Sequence, residues 1–133
     1  MTDLCERSRT QLRQARTTLD RVNAWWRAAN HIAGGLPGGS APAVAAAALT
    51  YAHLNRLIVR SERRIRFVLG VRDAMPALAA VGRMEGASVG DAPTRGFGNR
   101  GRSYALAYAV GAVLDEPGLT VAALVDEDEA VSA

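Results

Sequence analysis

A glycine-rich break from Gly34 to Gly39 divides the first half of this chain into two long stretches, each with a helical spacing of apolar residues. Gly34 and Gly35 follow the last apolar residue of the first stretch, where a helix C-terminus favours glycine. Ser40 is a preferred N-cap residue, and Pro42 suits the first turn of the next helix. Long helices joined by about six residues pack side by side in opposite directions, so the break predicts an antiparallel two-helix hairpin.

The first stretch, residues 3–33, predicts one uninterrupted helix of roughly 45 Å. Asp3 and Glu6 have the spacing of a capping box at a helix start. Trp25 lies at the edge of the apolar face, where it could be either a core residue or an interface anchor. Small and apolar residues recur at alternating steps of three and four, as in one face of a coiled coil, at Cys5, Ser8, Leu12, Ala15, Leu19, Val22, Trp26, Ala29 and Ala33.

The second stretch, residues 41–74, predicts the other long helix of the hairpin. Ser61 is the one polar interruption of its apolar stripe. Pro76 is expected to end or kink this helix, with residues 77–84 as a short continuation. The stripe consists of Val44, Ala47, Tyr51, Leu54, Ile58, Ile65 and Val68.

The rest of the chain is expected to form a loop and a short C-terminal element. Residues 86–102 contain five glycines and one proline, which favours a loop. For residues 103–125 two interpretations stay open, a helix followed by a short extended piece or a β-hairpin, because short apolar runs fit either period. The predicted fold is a single, mainly α domain with a helical hairpin at 1–85, a Gly/Arg-rich loop at 86–102 and a C-terminal element with an acidic tail at 103–133. The β-hairpin would make it α+β.

The composition excludes several kinds of chemistry. All 16 basic residues are arginine, so no lysine is present to act as a nucleophile, to form a Schiff base or to hold a phosphate in a P-loop. Aromatic residues make up only 5%, while alanine is common, which is typical of closely packed helices. The single cysteine, Cys5, has no partner for an internal disulfide, which favours a reducing, cytoplasmic setting.

Charge is distributed unevenly along the chain. Residues 1–33 carry six arginines and three acidic residues, whereas residues 103–133 carry six acidic residues and no basic one. The acidic tail can therefore either fold back on a basic surface of its own chain or leave that surface to an anionic partner. Four arginines of the predicted second helix share a face that can follow a phosphate backbone, with three more in the Gly/Arg-rich loop. These candidate contacts to nucleic acid or another anion are Arg56, Arg60, Arg63 and Arg64, with Arg95, Arg100 and Arg102.

Motifs for catalysis, metals or cofactors are weak. The glycines at 34–39 have Walker A spacing but no lysine follows them, and the residues Arg95-Gly96-Phe97-Gly98 match only the first half of an RNA-recognition octamer. His31, His53 and Cys5 have no metal-ligand spacing. We therefore expect no enzyme activity, no cofactor and no metal site.

The predicted function is that of a small interaction or assembly protein that self-associates through the hairpin, because two helices alone leave part of their shared apolar seam uncovered. Its partners would be copies of itself or other protein subunits, in a larger assembly such as a virion. A membrane and a small-molecule substrate are not expected. An Arg-rich nucleic-acid-binding regulator is the main alternative, and a small inhibitor or antitoxin-like protein is the second. The candidate interface residues are Leu12, Leu19, Val22, Trp25, Trp26, Tyr51, Leu54, Ile58 and Ile65.

Overall fold

The structure is a computed structural model that describes residues 2–86, 94–96 and 104–132. It is mostly helical, as predicted, and also contains a small β-sheet. In chain order the elements are α1 (Thr2–Gly34), α2 (Ala41–Ser61), β1 (Ile65–Leu69), a single 3-10 turn (Arg72–Ala74), α3 (Met75–Glu85), β2 (Thr94–Gly96), α4 (Tyr104–Asp115), β3 (Thr120–Leu124) and α5 (Glu127–Ser132).

The first two helices are joined through the glycine-rich segment. Ser40 has an extended backbone at the start of α2, but its side chain makes no capping hydrogen bond. Its backbone N–H instead donates to the carbonyl of Asp73, 2.9 Å away, in the 3-10 turn. Trp26 near the end of α1 donates from its indole Nε1 to the Ala45 carbonyl of α2 at 2.9 Å. The loop and both helices are thereby tied to each other and to the segment that leads into α3.

The prediction of one helix over residues 41–74 is wrong, because α2 ends at Ser61. Glu62 adopts the left-handed conformation (φ 51°), and its N–H donates to the Ile58 carbonyl at 3.0 Å, which closes the helix. The following five residues, Ile65–Leu69, form strand β1. Ile65 and Val68 have a helical spacing relative to Ile58, but a short run of β-branched and aromatic residues is also typical of a strand.

Pro76 begins a helix; the prediction that it ends or kinks one is wrong. It occupies the first turn of α3 (Met75–Glu85), where the missing N–H of proline costs no hydrogen bond. Gly86 ends α3 in the left-handed conformation (φ 65°). The residues that were expected to continue the second helix therefore form a separate helix.

The sheet is parallel, with strand order β2-β1-β3. In register, Ile65 lies beside Thr120 and Leu69 beside Leu124, while Phe67 lies beside Thr94 on the other edge. Parallel strands of one sheet need crossover connections. Helix α3 lies in the connection from β1 to its neighbour β2, and α4 lies in the connection from β2 across β1 to β3 on the other edge. The described part of this segment, residues 104–125, thus follows the helix-then-extended alternative, and the β-hairpin is not the arrangement observed there.

Adjacent residues of β1 show that the sheet has a helix on each face. Arg66 donates from Nη1 to the Tyr108 hydroxyl of α4 at 2.8 Å. The ring of Phe67 instead lies 6.2 Å from the ring of Tyr51 in α2. Because successive strand residues point to opposite faces, α2 and α4 cover opposite sides of the sheet.

The core lies between the first three helices and their side of the sheet. Phe67 and Leu69 of β1 contribute its large strand residues, and Tyr51 is its one buried aromatic from a helix. Most of the rest is alanine, which lets the helix backbones approach closely. The buried alanines of this cluster are Ala29, Ala33, Ala47, Ala48, Ala74, Ala77 and Ala80. Among the described residues, no helix is both long enough and apolar enough to cross a membrane.

Candidate interaction surfaces

The first half of α1 extends beyond the core. From Glu6 to Arg21 every residue except Thr18 is exposed, and the packing of α1 against the core begins near Trp25. We call residues 6–21 the α1 arm. It belongs to the same unbroken helix as the packed residues 25–34, so the core holds it in a fixed direction.

The arm carries an apolar stripe that nothing in the described chain covers. Leu12 is 70% exposed and Leu19 is 57% exposed. They share the helix face of Ala29 and Ala33, which are buried against the core. One continuous stripe is therefore buried at one end of α1 and open to solvent at the other.

The rest of the arm is basic. Five arginines and two acidic residues lie between positions 6 and 21, which gives the arm a net positive charge. Arg9 and Arg16 lie beside the leucine stripe on the helical wheel, since each is three residues from a stripe leucine. The arm thus offers a leucine pair with cations next to it.

A second exposed apolar surface lies on α4, on the side turned away from the sheet. Ala107, Val110, Gly111 and Leu114 are exposed at the i, i+3, i+4, i+7 spacing of one helix face. Val110 is 60% exposed and Leu114 is 77% exposed. We call these four residues the α4 outer face.

Helix α4 is apolar on all sides, which is unusual for a helix at the surface. No charged residue occurs between positions 104 and 114. Its inner side already packs through Ala105, which is buried, and Tyr108, whose hydroxyl accepts from Arg66. A helix that is hydrophobic all round is typical of a fully buried element, so the α4 outer face is a candidate contact surface.

The nine candidate interface residues separate into two groups. Leu12 and Leu19 are exposed on the arm, with the half-buried Val22 next to them. Tyr51 and Ile65 are instead buried within this one chain, so neither offers a surface for a second copy in this fold. The half-buried Trp25, Trp26 and Leu54 pack against the same core, and Ile58 is half-buried on α2.

The predicted arginine stripe is broken. Because α2 ends at Ser61, Arg63 and Arg64 do not continue the helix face of Arg56 and Arg60. The Arg64 guanidinium pairs with Glu116. The Nε atom of Arg56 is buried, with no hydrogen-bond partner among the described residues. The helical geometry on which the nucleic-acid prediction rested is therefore not present.

The remaining predicted contacts lie where few side chains are described. Arg95 belongs to β2, for which only the backbone is described, and Arg100 and Arg102 lie outside the described residues. The acidic tail leads into the short helix α5, in which Glu127 and Val131 are exposed. The sequence reasoning about the Gly/Arg-rich loop thus stays a prediction.

An open cavity of about 740 Å³ lies between the end of α1 and the start of α2. Trp26, Asn30, His31, Ser40 and Val44 are among its lining residues. The Asn30 amide nitrogen donates to the Trp26 carbonyl at 2.9 Å, and the Trp26 indole is bonded to α2. The Asn30 amide nitrogen therefore bonds within α1, and the Trp26 indole bonds α1 to α2.

Metal-ligating side chains do not gather in the part of the chain that the structure describes. No group of three or more His, Cys, Asp or Glu residues is close enough there to hold a metal ion. His31 and His53 are both exposed, on α1 and α2 respectively.

The α4 outer face is the surface that the sequence reasoning missed. The available signal was that positions 104–114 contain no charged residue. A helix without charged residues is typical of one that is covered on all sides. Because the sequence left this segment open between helix and strand, the absence of charge did not identify an exposed helix face.

Comparison with known proteins adds no assignment: no family model, curated protein or solved structure is significantly similar to this chain.

Proposed function

We propose that this chain is a non-enzymatic assembly protein that self-associates through its helical pair, with the α1 arm as the contacting element. The observation that carries the proposal is the open continuation of the α1 stripe at Leu12 and Leu19. The same stripe is buried where α2 and α3 cover it, so its open end offers the same kind of packing surface to a second molecule.

The energetics favour covering the arm. Full burial of a leucine side chain stabilises a complex by about 1.5–3 kcal/mol, and two leucines two turns apart can be covered by one helix. The arm is also ordered before a partner binds, because it continues the part of α1 that packs against the core. A partner therefore loses less free energy to ordering than it would with a flexible peptide.

Nucleic-acid binding is the weaker alternative. Its support is the positive charge of the α1 arm, since Arg63 and Arg64 have left the predicted stripe. An inhibitor-like role would use the acidic C-terminal residues on a basic target. The nucleic-acid alternative predicts salt-dependent binding to an added duplex, and the inhibitor-like alternative predicts a monomer or dimer that binds its target through the acidic residues.

The test is light scattering after size exclusion, over a range of protein concentrations. We expect the wild-type chain to form species above the monomer mass, and the double variant Leu12→Gln/Leu19→Gln to remain monomeric. Glutamine retains helix propensity and adds no charge, so the change removes only the apolar surface. Val59→Gln is the matched control, because Val59 is 75% exposed but lies on α2, outside both candidate surfaces. A monomeric wild-type chain that binds an added DNA or RNA duplex with a steep salt dependence would replace this proposal with the nucleic-acid alternative.

A further inference from the structure

We propose that the α1 arm of one copy docks on the α4 outer face of the next copy, so that the chain assembles head to tail. This inference rests on the proposed self-association and names the two surfaces that meet. The arm contributes Leu12 and Leu19, and the outer face contributes Ala107, Val110, Gly111 and Leu114.

Charge complementarity selects this pairing over the contact of two arms. The arm has five arginines and two acidic residues, so two arms would repel each other. The chain from position 103 onward has no basic residue, and α4 ends at the exposed Asp115. An arm laid on α4 therefore places its cations on a helix that has no basic residue of its own and that ends at the exposed carboxylate of Asp115.

The α1 arm and the α4 outer face also match in the spacing of their residues and in shape. Leu12 and Leu19 are seven residues apart, as are Ala107 and Leu114, and each interval spans about 10.5 Å of helix. Ala107 and Gly111 are small, while Val110 and Leu114 beside them are large. A Cβ added at Gly111 would meet no atom within 4 Å, so the surface is open at that position. Small residues between large ones form the kind of groove that receives a knob from a facing helix.

An arm cannot dock on the α4 of its own chain. The packed half of α1 lies with α2 and α3, on the side of the sheet that Phe67 faces. Helix α4 lies on the opposite side, the side that Arg66 faces. Because α1 is one continuous helix, its arm cannot turn back around the sheet, so an α4 outer face that the arm contacts belongs to another copy.

The consequence is a heterologous contact. Each copy retains one unused arm or one unused face after pairing, so association continues into a ring or an open chain. A symmetric pairing of two arms would instead stop at a dimer.

The experiment mixes two variants that each lack one surface. The arm variant is Leu12→Gln/Leu19→Gln, and the face variant is Val110→Gln/Leu114→Gln. All four positions are exposed within one chain, so we expect both variants to retain the wild-type circular dichroism spectrum. We expect each variant alone to be monomeric, and their equimolar mixture to form a one-to-one dimer and nothing larger by sedimentation velocity. The dimer follows because the mixture contains one intact arm and one intact face.

A further variant, Gly111→Leu, distinguishes specific docking from nonspecific hydrophobic association. It fills the groove of the outer face while making the surface more apolar, and no steric clash within the chain opposes it. We expect at least a tenfold loss of self-association. Unchanged or stronger association of Gly111→Leu would overturn the docking geometry.

The outcomes separate this inference from the proposed function. A face variant that associates like wild type, with a monomeric arm variant, overturns the head-to-tail contact but leaves self-association through the arm. An arm variant that associates like wild type overturns both. A mixture that remains monomeric also overturns the head-to-tail contact.

Discussion

The indole ring of Trp25 stacks on the ring of Tyr51, with centroids 5.6 Å apart and planes 19° from parallel. This contact is where α1 first joins the core, and the arm begins on its N-terminal side. Trp25 therefore acts in the packing of its own chain, in the first of the two roles that the sequence allowed. The tryptophan–tyrosine contact fixes the direction in which the arm leaves the core.

We expect Trp25→Ala to destabilise the fold by about 2–3 kcal/mol, at the lower end for a large aromatic because Trp25 is only half-buried. Trp25→Phe retains a ring over Tyr51 and should cost much less. Urea unfolding followed by circular dichroism measures both. Equal stability of Trp25→Ala and the wild type would show that this stack does not hold α1.

Tyr51 should make stability depend on alkaline pH. Its hydroxyl donates to the Glu85 carboxylate, with oxygen distances of 2.8 and 2.9 Å. Burial, and then the hydrogen bond and negative charge of Glu85, raise the pKa of Tyr51 well above its ordinary value of 10. Folding therefore favours the neutral phenol, and its contribution is complete below pH 10.

Above pH 10 the unfolded chain ionises Tyr51 while the folded chain does not, so the wild type should lose stability as the pH rises. Tyr51→Phe cannot ionise and should lack this part of the loss. Urea unfolding of both proteins from pH 8 to pH 11 tests the expectation, with the free-energy difference between them shrinking above pH 10. A constant difference over the whole range would contradict it.

Gly39 marks a close approach between the interhelical loop and α3. A Cβ at this position would lie 2.8 Å from Pro76 Cγ and 3.2 Å from the Asp73 carbonyl oxygen. We expect Gly39→Ala to destabilise by about 1–3 kcal/mol, because neither the ring nor the backbone can move away easily. Gly34→Ala is the matched control, since a Cβ there meets nothing within 4 Å. Thermal unfolding should separate the two, and equal melting temperatures would show that the loop does not pack as described.

The hydrogen bond from Arg66 to Tyr108 attaches α4 to the sheet from the inside. Tyr108→Phe should therefore cost about 1–2 kcal/mol of folding stability. It should leave self-association unchanged, because Tyr108 is half-buried, its hydroxyl is bonded to the sheet, and it is not one of the four exposed residues of the α4 outer face. Denaturant unfolding and light scattering on the same sample check both parts. A variant that folds normally but fails to associate would indicate that the inner side of α4 also takes part.

The helix α1 was predictable because its signals agree over more than thirty residues. The steps of three and four from Leu12 to Ala33 define one face, and the glycines after Ala33 end it. Length made this pattern reliable, since no strand could accommodate it.

The strand β1 was not predictable by periodicity. Ile58, Ile65 and Val68 are seven and three residues apart, so they continue a helical stripe as well as Ile65, Phe67 and Leu69 form a strand. This segment forms a strand because it pairs in parallel with β3, whose residues lie more than fifty positions away in the sequence. Such distant pairing also explains why residues 103–125 stayed open between helix and strand.

The exposure of the candidate interface residues was only partly predictable. Leu12 and Leu19, proposed as interface residues from the spacing of their stripe, are exposed in the structure. Tyr51 and Ile65 have the same apolar character but are buried by segments distant in sequence. Val110 and Leu114 were missed, because an exposed apolar helix face can be identified only after the opposite face is known to be covered.

Under the proposed function, two copies of this chain meet through the stripe that the core leaves open. Sedimentation equilibrium of the wild-type chain over a hundredfold range of concentration measures this association without any variant or added partner. We predict that the average mass rises with concentration well above the 14.0 kDa of one chain, and that Leu12→Gln/Leu19→Gln abolishes the rise. A wild-type mass of one chain at every concentration would contradict the claim.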